Sequence, residues 1–345
     1  MSSEIEITRM TQILSVVPLD EAAVSRLEAL PGVRVQQLPP QREAWDLPEE
    51  LLHGPEILLC KIPPRNLDGM TNLKLIQISS VGYDHMRSFR LGERPLRVCN
   101  ARGLFDTAIG EWVLAMMINL VRDLRGMIRN QEQGRWDRAA PFQQEIRDKV
   151  VGLWGYGGIG RETARLAKAF GMTVHVMTRS GVKPRQGVYV LPGTSDPDGV
   201  LPDRVFVAGQ EQAFLSGLDF LVLALPHTRY SNGLIGDTEL RALRPTAFVL
   251  NPARGPIIQE QALLAALREG RIAGAALDTH FAYPLPAEHP LWQMPNVIMT
   301  PHISGAEKSS YFPQRIADLF TQNVERYLDG RPLLNVITTE EWNEV

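Results

Sequence analysis

The chain has 345 residues, more than one hydrophobic core usually organises, so its length predicts two domains. A hydrophobic fraction of 44% and a charged fraction of 22% are typical of a globular protein and exclude a disordered or fibrous class. The formal net charge of −3 argues against nucleic acid or an anionic membrane as a partner.

Targeting and membrane signals are missing from the sequence. No apolar run has the roughly 20 residues that a membrane helix needs, and the N-terminus lacks the pattern of a secretory signal. We therefore expect a cytoplasmic protein. In that compartment the two cysteines, Cys60 and Cys99, are expected to stay reduced.

The first part of the chain alternates apolar runs with helical patterns. Four runs predict buried parallel strands, at 13–19, 56–62, 73–80 and 96–100. Residues 20–30 predict a helix with an acidic first turn. Residues 107–128 predict one long helix that is apolar on most faces, which indicates burial between domains.

A second strand series follows. Six apolar runs predict it, at 150–155, 173–178, 218–225, 247–251, 273–278 and 296–302. Residues 180–206 are rich in Gly, Pro and Asp, which predicts an extended surface loop or insertion rather than core. A last helix is predicted over 308–329. Strands that alternate with helices in this way predict α/β domains with parallel sheets.

A glycine-rich turn joins the first strand and helix of this second series. Gly155-Tyr156-Gly157-Gly158-Ile159-Gly160 fits the pattern G-x-G-x-x-G and is followed by the helical pattern at 161–170. In a dinucleotide site, Gly155 permits the tight turn, Gly157 lets the backbone approach a diphosphate, and Gly160 lets helix and strand pack closely. The context of strand, turn and helix therefore predicts a nicotinamide dinucleotide cofactor.

The end of the next strand indicates which dinucleotide is preferred. An NAD site usually has a carboxylate here that accepts a hydrogen bond from the ribose 2′-hydroxyl. This strand instead ends in Thr178-Arg179-Ser180, and Lys183 and Arg185 follow. Because an arginine binds a 2′-phosphate by charge-assisted hydrogen bonds, the sequence favours NADP, with NAD possible. The alternative is an ordinary solvated basic loop.

Two residues in the second half are candidates for the chemistry. Arg254 follows a predicted strand and precedes a helix, and His302 follows the last predicted strand. At the carboxyl ends of parallel strands both would face the ligand crevice. A fixed arginine there suits a carboxylate and a carbonyl. A histidine suits proton transfer.

Taken together, these residues resemble the D-isomer-specific 2-hydroxyacid dehydrogenases. The resemblance implies two Rossmann-like domains with parallel sheets, in which a coenzyme domain (104–305) is inserted in a flavodoxin-like substrate domain (1–103 plus 306–345). It also implies an active site in the cleft between the domains and a homodimer joined through the helix near 107–126. The matching pieces are SVGYD (80–84), NARGLFDTAIGEWVLAM (100–116), WGYGGIG (154–160), NPARG (251–255), LDTHFAYPLPAEHPLW (277–292), TPHISG (300–305) and NVERYLDGRPLLNV (323–336).

The resemblance also implies roles for the substrate-binding residues. Arg254 would bind and polarise a 2-oxo acid. His302 would donate a proton to the carbonyl oxygen as hydride arrives and accept it in the reverse direction. The backbone N–H groups of Val81 and Gly82 would hold the substrate carboxylate.

Other residues have either a family counterpart or a suggestive position. Asp278 resembles the residue that fixes the nicotinamide carboxamide, and Thr107 one that lines the cofactor. Lys61 and Arg102 are candidates to meet an anionic substrate group, the alternative being a solvated surface charge. His280 stands where the family often has an aromatic packing residue, so we expect a structural role. No spacing of Cys or His predicts a metal site.

The sequence departs from the family at Tyr283. The family has a glutamate five residues after the aspartate that Asp278 resembles, and this glutamate pairs with the catalytic histidine. Without it, His302 is expected to titrate near the unperturbed value of about 6.5 or lower. We favour Tyr283 orienting His302 by a neutral hydrogen bond. Alternatively Glu288 or Glu111 fills the vacancy, or no proton is transferred, as in the related formate dehydrogenases.

The sequence thus predicts an enzyme, an NADP(H)-dependent reductase of small 2-oxo acids such as glyoxylate or hydroxypyruvate. One alternative is a cofactor-sensing binding protein of the same fold, because Tyr283 would then mark lost catalysis. The retention of Arg254 and His302 argues against that alternative. A formate-dehydrogenase-like enzyme is the other alternative.

Overall fold

A computed structural model describes residues 10–41, 43, 45–139 and 143–344 of the chain. The chain divides into two compact units. Unit 1 comprises Met1–Leu104, Gly187–Tyr189 and Lys308–Val345, and unit 2 comprises Phe105–Gln186 and Val190–Glu307. Each unit has its own parallel sheet, so the predicted fold class of two Rossmann-like α/β domains is confirmed.

Strands and helices alternate along the chain. The strands are β1 (Thr11–Ser15), β2 (Val33–Gln37), β3 (Ile57–Cys60), β4 (Leu75–Ile78), β5 (Arg97–Cys99), β6 (Val150–Trp154), β7 (Thr173–Thr178), β8 (Arg204–Val207), β9 (Phe220–Leu223), β10 (Phe248–Asn251), β11 (Gly274–Leu277) and β12 (Val297–Met299). The helices are α1 (Glu21–Glu28), α2 (Asp106–Val121), α3 (Leu124–Glu132), α4 (Gly158–Ala169), α5 (Glu211–Leu215), α6 (Asp237–Ala242), α7 (Glu260–Arg268), α8 (Tyr311–Leu328) and α9 (Thr339–Glu344).

The sheet of unit 1 has the strand order β2-β1-β3-β4-β5, with every pairing parallel. This is the flavodoxin-like order. The central strands β3 and β4 are buried at every position, which explains their continuous apolar sequence. The prediction missed β2. This edge strand carries the exposed Arg34, Gln36 and Gln37, so its sequence has no continuous apolar run.

The sheet of unit 2 has the strand order β12-β11-β10-β9-β6-β7-β8, again parallel throughout. The order reverses between β6 and β9, and the carboxyl ends of strands at such a switch point form a ligand crevice. The prediction of a loop over 180–206 was wrong at its end, because Arg204–Val207 forms β8. Within that segment Tyr189, Ser195 and Asp196 are also buried rather than solvated.

The long helix predicted over 107–128 is two helices. Asp123, between α2 and α3, has a φ of 48°, and this left-handed conformation ends the first helix. The Asp123 carboxylate then accepts the backbone N–H of Gly126 at 3.3 Å and caps the second helix. Helix α2 packs against α4 and against β10 and β11 of its own unit, which accounts for its apolar faces.

Both cysteines lie in buried strands of unit 1. Cys60 and Cys99 form no disulfide, as predicted, and burial raises the pKa of each thiol, that of Cys99 to about 12. In the part of the chain that the structure describes, no helix has both the length and the apolar character needed to cross a membrane.

Candidate active site

The glycine-rich turn lies between β6 and α4, at the switch point of the unit 2 sheet. Gly155 has a φ of 103°, and a Cβ atom there would collide with the carbonyl oxygen of Ala224. A Cβ atom at Gly160 would collide with the carbonyl oxygen of Gly155. The space where Gly157 would carry a side chain is open. The turn is therefore tight on its protein side and accessible where a diphosphate approaches the first turn of α4.

Thr107 in the first turn of α2 supplies an independent indication of a ligand. Its hydroxyl oxygen is buried and has no hydrogen-bond partner among the described residues. A buried hydroxyl without a partner is unfavourable, so Thr107 offers a hydroxyl that a bound group could engage. Together with the open position at Gly157, this orphaned hydroxyl fits a bound dinucleotide.

The carboxyl end of β7 carries no carboxylate. The Thr178 hydroxyl accepts the backbone N–H of Gly181 at 2.9 Å and closes a turn in which Arg179 and Ser180 are exposed. Lys183 is also exposed, whereas the side chain of Arg185 is only 13% exposed and faces Asp106 at 4.0 Å. The structure therefore separates the two basic residues that the sequence had grouped together.

Arg254 lies in the turn after β10. The buried Asn251 organises this turn, because its side-chain amide donates to the carbonyl of Arg254 at 2.8 Å and accepts from the N–H of Ala253 at 3.0 Å. The guanidinium of Arg254 donates to the carbonyl of Ala253 at 2.8 Å. A Cβ atom at Gly255 would collide with the backbone of His280, so the turns after β10 and β11 abut. Sequence reasoning missed Asn251, although its position at the strand end was a usable signal.

His302 lies in the loop after β12, and Asp278 from the end of β11 holds that loop. The fully buried Asp278 carboxylate accepts the hydroxyl of Thr300 at 2.6 Å and the N–H groups of Ile303 and Ser304 at 2.8 and 3.0 Å. The N–H of His302 donates to the Asp278 carbonyl at 2.8 Å. These bonds flank His302, whose φ is 56°, and fix a backbone that a non-glycine residue seldom adopts.

Tyr283 lies beside two histidines. Its ring is 5.6 Å from the His302 ring and 6.4 Å from the His280 ring, and its hydroxyl accepts the N–H of His280 at 3.3 Å. His280 is buried, and its Nε2 donates to the carbonyl of Thr300 at 2.8 Å, since a carbonyl only accepts. The Tyr283 side chain therefore lies next to His302, where the family resemblance implies a glutamate.

The loop after β4 in unit 1 carries Val81 and Gly82. The Ser80 carbonyl accepts from the N–H of Ala101 at 3.0 Å, and the Val81 carbonyl accepts from the Asn100 side chain at 3.0 Å. In trans peptides the N–H points away from the carbonyl of the same unit, so the N–H groups of Val81 and Gly82 both point away from these partners. Such a pair of N–H groups suits a carboxylate.

Two basic residues of unit 1 were also candidates. Lys61 directly follows β3 and is half-buried. The guanidinium of Arg102 is bonded to the Glu341 carboxylate of α9. Beside this pair the Tyr83 ring meets the Trp342 ring edge-on at 5.0 Å, and burial, aided by Glu341, raises the pKa of Tyr83 to about 12. Arg102 therefore anchors the C-terminal helix.

The unit 2 candidates share one edge of their sheet. Because all its strands are parallel, the residues after β12, β11, β10 and β6 lie at the same carboxyl edge, with neighbouring strands about 4.8 Å apart and β9 between β10 and β6. A histidine, a guanidinium and a dinucleotide turn on one edge can serve proton transfer, carbonyl polarisation and cofactor binding. Among the described residues, no three His, Cys, Asp or Glu side chains are grouped as a metal site.

Comparison with known proteins shows the family. Residues 114–304 match the D-isomer specific 2-hydroxyacid dehydrogenase, NAD binding domain. The chain is 31% identical over 303 residues to the glyoxylate reductase of Thermofilum pendens, covering 85% of this chain and 83% of the relative. It is 29% identical over 299 residues to the glycerate dehydrogenase of Methylorubrum extorquens, covering 83% and 87%.

A solved structure is similar over almost its whole length. The D-isomer specific 2-hydroxyacid dehydrogenase from Xanthobacter autotrophicus Py2, in complex with NADPH and MES, is 28% identical with a TM-score of 0.75, covering 97% of this chain and 99% of that one. The chain belongs to the D-isomer specific 2-hydroxyacid dehydrogenase family. It is therefore an NAD(P)-dependent oxidoreductase of 2-hydroxy and 2-oxo acids, as the sequence predicted.

Proposed function

We propose that this enzyme reduces a small 2-oxo acid of the glyoxylate or hydroxypyruvate class, with NADPH as the preferred cofactor. The observation that carries the proposal is the alignment of Arg254, His302 and the Gly155–Gly160 turn at the carboxyl edge of one parallel sheet. The relatives named glyoxylate reductase and glycerate dehydrogenase support the choice of substrate class.

Substrate binding is assigned to one arginine and two backbone amides. Arg254 holds the carboxylate and polarises the carbonyl of the 2-oxo acid, since its guanidinium offers a planar set of donors. Asn251 fixes the turn that carries this arginine. The N–H groups of Val81 and Gly82 are proposed to hold the substrate carboxylate, and Lys61 to add positive charge nearby.

Proton transfer is assigned to His302. When bound, the nicotinamide supplies the hydride in reduction and accepts it in oxidation. His302 donates a proton to the carbonyl oxygen in reduction, and the Asp278 carboxylate keeps its loop in place. Tyr283, predicted to orient the imidazole by a neutral hydrogen bond, has its ring 5.6 Å from that of His302 and brings no negative charge to it. We therefore expect reduction to work best at mildly acidic pH.

Cofactor binding is assigned to the turn and to the end of β7. The N–H groups at the start of α4 would hold the diphosphate, and Thr107 would line the cofactor. The fully buried Asp278, whose carboxylate already accepts three hydrogen bonds, would support the nicotinamide side through the loop that it holds. Arg179, with Thr178 and Ser180, would meet a 2′-phosphate, because a carboxylate that would repel it is missing from the end of β7. The Xanthobacter relative in complex with NADPH supports this preference.

The domain roles, the oligomeric state and the cellular location are also proposals. Unit 2 would be the coenzyme domain and unit 1 the substrate domain, with boundaries near residues 104 and 305. A homodimer formed through the α2 region and a cytoplasmic location stay predictions. Sedimentation of the purified enzyme and fractionation of cells that express it would test them.

Oxidation of NADPH and of NADH across a panel of 2-oxo acids tests the proposed function. We expect turnover with glyoxylate or hydroxypyruvate and a higher kcat/KM for NADPH than for NADH. Tight dinucleotide binding without any turnover would instead support a cofactor sensor. Formate oxidation with NAD, run in parallel, would support the formate-dehydrogenase alternative.

A further inference from the structure

The segment 181–201 is docked on α4 by buried polar groups. The Arg161 guanidinium donates to the carbonyls of Lys183 at 2.5 Å and of Pro197 at 3.4 Å, and also to that of Asp196. The neighbouring Glu162 carboxylate accepts the N–H of Ser195 at 2.6 Å. Since Arg161 and Glu162 are themselves buried, the segment has a fixed position rather than that of a loose surface loop.

The Asp196 carboxylate adds a second attachment, to the glycine-rich turn itself. It accepts the Tyr156 hydroxyl at 2.6 Å and the N–H groups of Val200 and Leu201, each at 3.1 Å. Burial alone would raise the pKa of Asp196, but these hydrogen bonds hold that pKa below its ordinary value. Tyr156 belongs to the G-x-G-x-x-G sequence, so the segment is bonded directly to the turn.

This docking places Arg185 beside Asp106, at the start of α4. The guanidinium of Arg185 lies 4.0 Å from the Asp106 carboxylate, and the backbone N–H of Arg185 donates to the carbonyl of Pro197 at 2.9 Å. The Asp106 carboxylate lies where a Cβ atom of Gly158 would be, and Gly158 is the first residue of α4. Asp106 and Arg185 are thus an oppositely charged, largely buried pair at the start of the helix that follows the turn.

Opposite charges meet at the start of α4. The start of α4 attracts a diphosphate, but the Asp106 carboxylate beside Gly158 repels one. Arg185 brings a positive charge to this carboxylate. A guanidinium has five donors and can bind a carboxylate and a phosphate oxygen together.

We propose that Arg185 is a binding residue for the diphosphate of the dinucleotide, positioned for that contact by Asp106 and by the docked segment 181–201. The proposal rests on the proposed function, since it needs a dinucleotide at the Gly155–Gly160 turn. It gives segment 181–201 a role in cofactor binding. It also assigns Arg185 to the diphosphate rather than to the 2′-phosphate.

Equilibrium binding of NADPH and NADH to purified variants, measured by titration calorimetry, tests the proposal without any turnover. Arg185→Ala is expected to raise the dissociation constants of both cofactors about tenfold, because both carry the diphosphate. Asp106→Asn removes a like charge and the positioning partner of Arg185 together, so it serves as the background for a double variant. Arg204→Ala is the matched control: this β8 arginine lies over the Phe206 ring and is expected to leave both constants unchanged.

The double variant separates binding from mere charge balance. If Arg185 binds the diphosphate, Arg185→Ala still weakens both cofactors in the Asp106→Asn background. If Arg185 only neutralises Asp106, that loss disappears in the double variant and the proposal is overturned. A loss confined to NADPH would also overturn it, in favour of a 2′-phosphate contact. Wild-type enzyme that binds neither cofactor would overturn the proposed function itself.

Discussion

The ring of Tyr283 lies against the imidazole of His302, with centroids 5.6 Å apart and ring planes inclined by 51°. The residue beside the proposed proton donor is therefore aromatic and neutral, where the family resemblance implies a carboxylate. An anionic neighbour favours the imidazolium form, and a neutral phenol does so far less. The pH at which this enzyme loses reductase activity should therefore depend on residue 283.

Tyr283→Glu tests this dependence. The substitution should raise the pKa of His302, so the proton donor stays charged to higher pH. The alkaline limb of kcat/KM for reduction should move up by about one pH unit or more. Tyr283→Phe keeps the ring and adds no charge, so its profile should match that of the wild type. Superimposable profiles for the wild type and Tyr283→Glu would refute the role of Tyr283.

Asp278→Asn should loosen the loop that carries His302. The backbone N–H groups of Ile303 and Ser304 now donate to the carboxylate. In the variant, the side-chain NH2 group of asparagine would face one of these two donors. Loss of charge-assisted bonds in a buried place should lower the free energy of unfolding by about 2 kcal/mol, seen in urea titrations. The kcat for reduction should fall as well.

Asp219→Asn is the matched control for Asp278→Asn. Asp219 accepts the N–H of Val150 at 2.8 Å, at the amino end of the same sheet. Its substitution should lower stability and leave kcat near the wild-type value. Equal losses of kcat in the two variants would show that Asp278 acts through overall stability alone.

Arg254→Lys should remove the planar contact with substrate while keeping the charge. Because an ammonium cannot reproduce a bidentate guanidinium contact, kcat/KM for the 2-oxo acid should fall about a hundredfold. The dissociation constant for NADPH should not change. Arg244→Lys, at a half-exposed arginine elsewhere in unit 2, is the control. An unchanged kcat/KM in Arg254→Lys would contradict the assignment.

Arg179→Ala should act on the choice of cofactor. Loss of a charge-assisted bond to a 2′-phosphate should raise the KM for NADPH about tenfold or more and leave the KM for NADH nearly unchanged. The exposed Lys183 offers a comparison, since Lys183→Ala should have a smaller effect. Equal increases for both cofactors in Arg179→Ala would rule out the 2′-phosphate contact.

His175 should make the folded state sensitive to acid. Burial, with the Arg204 cation nearby, lowers the pKa of this histidine, and its Nδ1 is buried without a hydrogen-bond partner among the described residues. The unfolded chain therefore takes up a proton more readily than the folded one. The stabilising contribution is complete above about pH 6.5 and is lost as the pH falls towards the lower pKa of the folded state.

The melting temperature measured between pH 7.5 and pH 5.5 checks this prediction. The melting temperature of the wild type should fall further over this pH range than that of His175→Phe, in which no group titrates at this position. The comparison also removes contributions that both proteins share, such as those of carboxylates. Parallel curves for the two proteins would show that His175 does not contribute.

Local sequence signals predicted much of the fold. Thr173–Thr178 is the strand predicted, because buried parallel strands are apolar on both faces. The edge strand Val33–Gln37 lacks that signal. No glycine or proline at Asp123 marks the break between α2 and α3 in the sequence. Whether such a break forms depends on packing against the sheet, which a sequence window does not contain.

In the candidate site, too, some features could be predicted from the sequence and others could not. The Gly155–Gly160 turn, Arg254 and His302 were predictable, since each follows a strand and has a chemistry-bearing residue type. The bonds that hold them were not. Asp278 accepts from Ser304, 26 positions away, and Arg161 bonds the carbonyl of Asp196, 35 positions away. Such pairs become neighbours only when strands and loops are assembled.

Reduction of a 2-oxo acid with His302 as proton donor is tested most directly by the rate of NADPH oxidation with glyoxylate and hydroxypyruvate for the wild type and His302→Asn. We predict substrate-dependent turnover by the wild type and a loss of kcat of about a thousandfold in the variant, with NADPH binding retained. Turnover by His302→Asn at the wild-type rate, or a wild type that binds NADPH and reduces no 2-oxo acid, would contradict it.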